Sequence, residues 1–306
     1  MSTSVANEGL DQENERFSYE RLVLKNAGEV PSLPNTAYQL LMMSINDRVN
    51  ARDVINLIKL EPNLTARLIR YSKSAYFGFR GDIESLEQAV VSVLGLRLTV
   101  NIAIGITLGN QFCKSNAGPM GLHDFWRHSI NHALLMQGLS SRIPNQFGVN
   151  PELAYLCGLL HDFGVLLIGQ INRRQSILLN EMIKANPESS RIELENQILG
   201  FTHTNIGACL LLDWQLPLAV VEVAANHHNL IYQGKFAPYV KLAGFGNFVL
   251  ENFLSSKKPP SFEELPDTIR QLLQEFELSF QDILDLSTRL EVMENELNSL
   301  ADVLIG

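Results

Sequence analysis

The chain has 306 residues, 46% of them hydrophobic, which suits one large globular domain or two smaller ones, each with a real core. Its three cysteines, Cys113, Cys157 and Cys209, lie in apolar surroundings without a CxxC or a pairing pattern, which excludes a disulfide scaffold and reads as a reducing, cytoplasmic compartment. The net charge of −9 belongs to the C-terminal end: residues 261–306 hold 11 acids and 2 bases, the rest 22 of each, so no basic stripe offers itself to nucleic acid.

Residues 1–17 read as a polar, mobile tail with no apolar h-region and hence no secretory signal. A short helix over Glu20 to Asn26 is ended by Gly28, Pro31 and Pro34. Asn35 to Asn46 follows with Ala37, Leu40, Leu41 and Ser44 on one face. Asn50 can cap the next helix, and Pro62 suits the first turn of another. Ser85-Leu86-Glu87-Gln88 has the form of a capping box. From Leu96 to Leu108 the sequence is apolar nearly all round, as in a helix buried on every side. Ala89–Gly109 and Leu153–Ile168 approach membrane-span length, but Arg97 and Asn101 in the first and His161-Asp162 in the second favour buried helices, so no membrane span is expected. Asn116 to Gly121 reads as the connection between two halves. The first half is a helical scaffold without a chemical constellation.

Every histidine lies in the second half. Phe125 to Ile143 is a helix with His128 and His132 at i, i+4. Glu152 to Ile171 carries His161-Asp162 amid apolar residues; an aspartate so placed needs a metal or a hydrogen-bonding partner. Imidazole plus carboxylate suits Zn, Mn, Fe or Mg, but for the doublet taken alone a hydrogen-bonded pair in a helical core is the favoured reading, which only the rest of the chain can shift. His203 opens a helix after a break near Gly200, and a helix from Pro217 reaches His227-His228. Adjacent helical residues point about 100° apart, so only one of His227 and His228 is expected to face a common pocket. His132 is expected to be a helix-face residue. Arg97 and Arg127 are candidates for contacting a phosphate or for bonds between helices. Beyond Pro259-Pro260, Ile283, Leu286, Leu290, Met293, Leu297, Leu300 and Leu304 form an a/d heptad seam on one final helix. That seam leaves two readings open: docking against the chain's own core, or a homodimer.

A histidine on one helix, a His-Asp doublet on a later one and a helix ending in His-His resemble the HD superfamily of metal-dependent phosphohydrolases. Leu33-Pro34, Glu61-Pro62-Asn63-Leu64-Thr65-Ala66-Arg67-Leu68, Ser72 to Gly78 and Ile83 to Val90 narrow the resemblance to the HDOD family, over roughly residues 25–250. The resemblance implies an all-α fold of two packed helical subdomains: residues 18–120, and an HD-type helical core over 121–254. A linker and acidic C-terminal helix over 255–306 follow. It also implies a bacterial, cytoplasmic signalling module that contacts another signalling protein, more often without catalysis than with it. Carried over by position, the metal ligands are His128, His161, Asp162, His203 and His227, for no metal or a single divalent ion. The vestigial catalytic candidates are His161 and Asp162. Against catalysis, Ala243-Gly244 stands where the enzymes have Ala-Asp, Val165 where phosphodiesterases have lysine, and no Gly-Tyr-Pro follows His227-His228-Asn229. The alternative is a metal-dependent phosphohydrolase acting on nucleotides or cyclic dinucleotides with an incomplete ligand set.

Overall fold

The computed structural model describes residues 17–27, 30–44, 49–112, 121–186, 188–254 and 259–305. The expected tail up to residue 16 and the half-boundary at 113–120 lie outside them. Every regular element among the described residues is helical, with no strand.

The first half runs through α1 (Ser18–Ala27), α2 (Asn35–Ser44), α3 (Ala51–Lys59), α4 (Pro62–Ser72) and the short α5 (Leu86–Gln88) to α6 (Leu96–Gly109), on which α2, α3 and α4 pack. The caps fall where the sequence suggests, though at Ser85 the expected box is half formed, Gln88 Oε1 accepting from the Glu84 N–H instead. Asn50 and Asp53 form a capping box on α3, Pro62 occupies the first turn of α4, and Ser85 accepts from the Gln88 N–H. α6 is buried continuously from Leu98 to Gly109, as its all-round apolar sequence requires. Phe17, placed in the tail by the sequence, is instead buried in the core.

The second half comprises α7 (Gly121–Ser140), α8 (Pro151–Leu160), α9 (Phe163–Ile171), α10 (Arg173–Ala185), α11 (Arg191–Leu199), α12 (His203–Asp213), α13 (Leu218–Asn226) and α14 (Ala237–Val249). The two halves share one core. The hydroxyls of Tyr71 and Tyr155 meet at 2.6 Å inside it, Asn101 donates to the Glu152 carbonyl, and the Trp214 indole N–H donates to Pro31 O at 3.2 Å. Most residues of the most span-like stretch, Pro151–Ile171, are buried inside this fold. It is two helices, broken at His161-Asp162, where a single one was expected.

The heptad stretch also differs from expectation. It forms α16 (Phe280–Val292) and α17 (Glu294–Ile305), preceded by α15 (Asp267–Glu275). The break falls at Met293, where no Gly or Pro marks it. Ile283, Leu286, Leu290, Leu297, Leu300 and Leu304 are all buried, packed on the chain's own α4, α6 and α7. Arg67, itself buried, donates to Val303 O and to Asn110 Oδ1, tying α17 to the first half. Docking on the chain's own core is therefore where the seam goes.

Candidate metal centre

Close backbone approaches bring the histidine-bearing helices together. A Cβ on Gly158 would lie 2.7 Å from Ala133 Cα, so α8 and α7 cross with nothing between them, and His161 comes to face His128 and His132. Gly164 and Gly207 do the same for α9 and α12: a Cβ on Gly164 would strike the His203 carbonyl. Any larger residue at 164 would push His203 away from the doublet.

Asp162 immediately precedes α9, a position from which aspartate ordinarily caps a helix. Here it makes no such bond. Its oxygens face imidazoles instead. Oδ2 lies 3.5 Å from His161 Nε2 and 3.8 Å from His128 Nε2. Oδ1 lies 3.3 Å from His203 Nε2 and 3.4 Å from His227 Nε2. Two ligand groups result, one of His128, His161 and Asp162, the other of His203, His227 and His228. Asp162 is the carboxylate shared between them.

All five residues assigned as ligands from the sequence converge, and the structure adds a sixth. His228 Nε2 sits 3.3 Å from His203 Nε2, contrary to the expectation that only one of the adjacent pair would face the pocket. The helical rotation does not apply, because α13 ends at Asn226 and both histidines lie in the turn beyond it. His132 belongs to neither group. It is buried, stacks on the His161 ring at 4.0 Å between centroids, and has Nε2 2.9 Å from Ala243 O. His123 lies apart from both groups, between Asp124 and Asp302.

The donor set fits divalent metal. His161 Nδ1 is 2.8 Å from Gly158 O, and His227 Nδ1 is 3.1 Å from both Val223 O and Ala224 O. A carbonyl can only accept, so each Nδ1 carries the N–H and each Nε2 turns its lone pair toward the centre. Nε2 atoms of neighbouring rings face one another at 3.3 to 3.5 Å. Two ligands held tetrahedrally at about 2.0–2.1 Å from zinc stand roughly 3.3 Å apart. The sequence allowed at most one ion; the geometry offers two ligand groups.

The electrostatics divide the groups. Burial keeps His161 and His128 below the usual imidazole range and pulls His228 to about 3, leaving them neutral, as ligands must be. Burial opposes ionisation of Asp162, yet His161, His203 and His227 hold its carboxyl well below the usual range. His203 is the exception. Burial opposes its charge, but Glu195 and Asp162 push it up to about 9. Glu195, fully buried on α11, accepts from His203 Nδ1 at 2.7 Å and from the His203 backbone N–H at 2.8 Å. Arg191 holds its other oxygen at 2.8 Å. Glu195 escaped the sequence reading, although its i, i+4 spacing to the buried Leu199 placed it on an inward face.

The features expected to be missing for catalysis have structural correlates. A Cβ on Gly244 would lie 2.6 Å from His227 O, so α14 packs too closely there for an aspartate. Val165 is buried in the core. Arg127 is paired with Asp124 and Glu294, while Arg97 donates to Ser44 O. The centre reaches solvent at the exposed His228 and again where Asp162 is 15% and His128 25% exposed. There a cavity of about 230 Å³ is lined by His128, Arg127 and Asn131, with Asp124, Glu291 and Glu294 as acidic wall.

Residues 30–230 match the HDOD domain. An uncharacterized protein of Treponema pallidum (strain Nichols) is 26% identical over 251 residues, 82% of this chain and 46% of that one. The cyclic-di-AMP phosphodiesterase PgpH of Bacillus subtilis (strain 168) is 26% identical over 101 residues, 33% of this chain and 14% of that protein. The chain thus spans less than half the length of these curated relatives. Among solved structures, a proposed signal transduction protein from Marinobacter aquaeolei VT8 superposes with a TM-score of 0.81 at 24% identity, covering 94% of this chain and 66% of that one. An all-helical fold in two packed halves, a histidine centre gathered around a His-Asp doublet, and a domain match spanning both halves lead to one assignment: the chain belongs to the HDOD domain family.

Proposed function

We propose that this chain is a signalling module that holds divalent metal at the Asp162 centre and acts by contact with another protein, without hydrolysing phosphoesters. One observation carries the reading: the metal-ligating side of the site is well furnished, while the phosphate-binding side is not. Hydrolysis needs a cation or preorganised donors for the charge that develops on phosphate oxygens. The guanidinium of Arg127 is engaged by Asp124 and Glu294, and that of Arg191 by Glu195. Glu291 and Glu294 at the mouth repel the anion such an enzyme would have to admit.

The residues fit a metal's role as an internal staple. Bound ions would link α7, the α8–α9 junction, α12 and the turn after α13 through His128, His161-Asp162, His203 and His227-His228. The experiment is an assay of purified full-length protein, loaded with Mn²⁺, Zn²⁺ or Fe²⁺, against cyclic dinucleotides and nucleoside phosphates. No turnover above the enzyme-free rate is expected. Turnover abolished by His161→Ala would overturn the reading in favour of a phosphohydrolase, the alternative that the shared Asp162 and the local likeness to a cyclic-di-AMP phosphodiesterase support.

A further inference from the structure

The two ligand groups differ in what stands behind them. In the Asp162 Oδ2 group, His161 is oriented by a neutral backbone carbonyl, Gly158 O. In the other group, His227 is likewise held by carbonyls, but His203 is backed by the carboxylate of Glu195 at 2.7 Å. Glu195 is built to stay in place. It is 0% exposed, one oxygen is fixed by two N–H groups of His203 and the other by Arg191. A carboxylate behind a metal-binding imidazole raises the basicity of its free nitrogen and fixes the ring's direction.

On this asymmetry, and resting on the metal reading above, we infer that Glu195 is a positioning residue that makes His203, His227 and His228 the tighter of two unequal metal sites. Metal enters this group first. The group of His128, His161 and Asp162 fills second and empties first. Both groups reach solvent, the first through His128, which is 25% exposed, and the second through the exposed His228, so the backing of His203 by Glu195 is what separates them. The module would thus hold one ion more firmly than the other.

The test is a titration of the chelator-treated full chain with Zn²⁺ against a chromophoric competitor, repeated with Co²⁺ to record the d–d bands of each site. Wild-type protein is expected to bind in two resolved steps. Glu195→Gln should weaken the tighter step by about 10- to 100-fold and shift its Co²⁺ bands, leaving the weaker step in place. His128→Ala should remove the weaker step alone. Glu195→Asp, which keeps the charge but shortens the reach, should recover part of the affinity and serves as the variant of record if Glu195→Gln does not fold. Two steps of which the tighter is untouched in both Glu195 variants, or is lost in His128→Ala, would overturn the inference while leaving the metal reading intact. Wild-type protein that takes up no metal would sink both.

Discussion

The pH dependence of stability in chelator-treated protein follows from the site with its sign fixed. Glu195 and Asp162, acting against burial, push the His203 imidazole up to about 9 from an ordinary value of 6.5. A folded-state pKa above the unfolded one gives stability that is complete below pH 6.5 and is lost as pH rises through 9. A rise of this size corresponds to about 3 kcal/mol at about 1.36 kcal/mol per pH unit, a full-scale effect because His203 is buried. On the acid side the sign reverses. Burial lowers His132 to about 3, so below pH 6.5 the unfolded chain binds a proton that the folded chain refuses. This buried group removes about 1.36 kcal/mol per pH unit as pH falls. Further down, Asp162 and Glu195, both held below the usual carboxylate range, add to the loss. Urea denaturation in EDTA, at half-unit steps from pH 4 to 9, should therefore give a stability maximum near pH 6.5. Glu195→Gln should flatten the alkaline limb. Stability that holds level or rises between pH 6.5 and 9 in the wild type would refute the reasoning.

Other perturbations have equally definite outcomes. Zinc binding below pH 9 should displace about one proton from His203, read by calorimetry in buffers of different ionisation enthalpy. Gly164→Ala should cost roughly 1–3 kcal/mol or more in denaturant unfolding and weaken metal binding at the same time, because its Cβ meets the His203 backbone. Leu297→Ala, in the seam of α17, should cost roughly 2–5 kcal/mol, since the side chain is 1% exposed within the chain itself. Val165→Lys should destabilise the fold without producing hydrolysis, as the position where the enzymes carry lysine is buried here.

Much of this was legible in the sequence, and the gaps have physical causes. Periodicity, the Asn50 and Ser85 caps and Pro62 placed the helices of the first half well, since those signals act within a turn or two. His128, His161, Asp162, His203 and His227 could be assigned because they sit at motif positions. The inward turn of His228 could not, because it depends on α13 stopping at Asn226 rather than running on. Glu195 is eight residues from His203 in sequence and touches it only through the break at Gly200. The split between α16 and α17 at Met293 carries no local marker; packing of both pieces on α7 decides it. The role of Gly164 is likewise invisible until α12 is laid against α9.

The most direct test is an anomalous difference map from crystals grown with Zn²⁺ or Mn²⁺. Two peaks, one beside each oxygen of the Asp162 carboxylate, with His128 and His161 on one and His203, His227 and His228 on the other, are predicted. A map with no peak at Asp162, or with a single peak ligated by residues outside these six, would contradict the account.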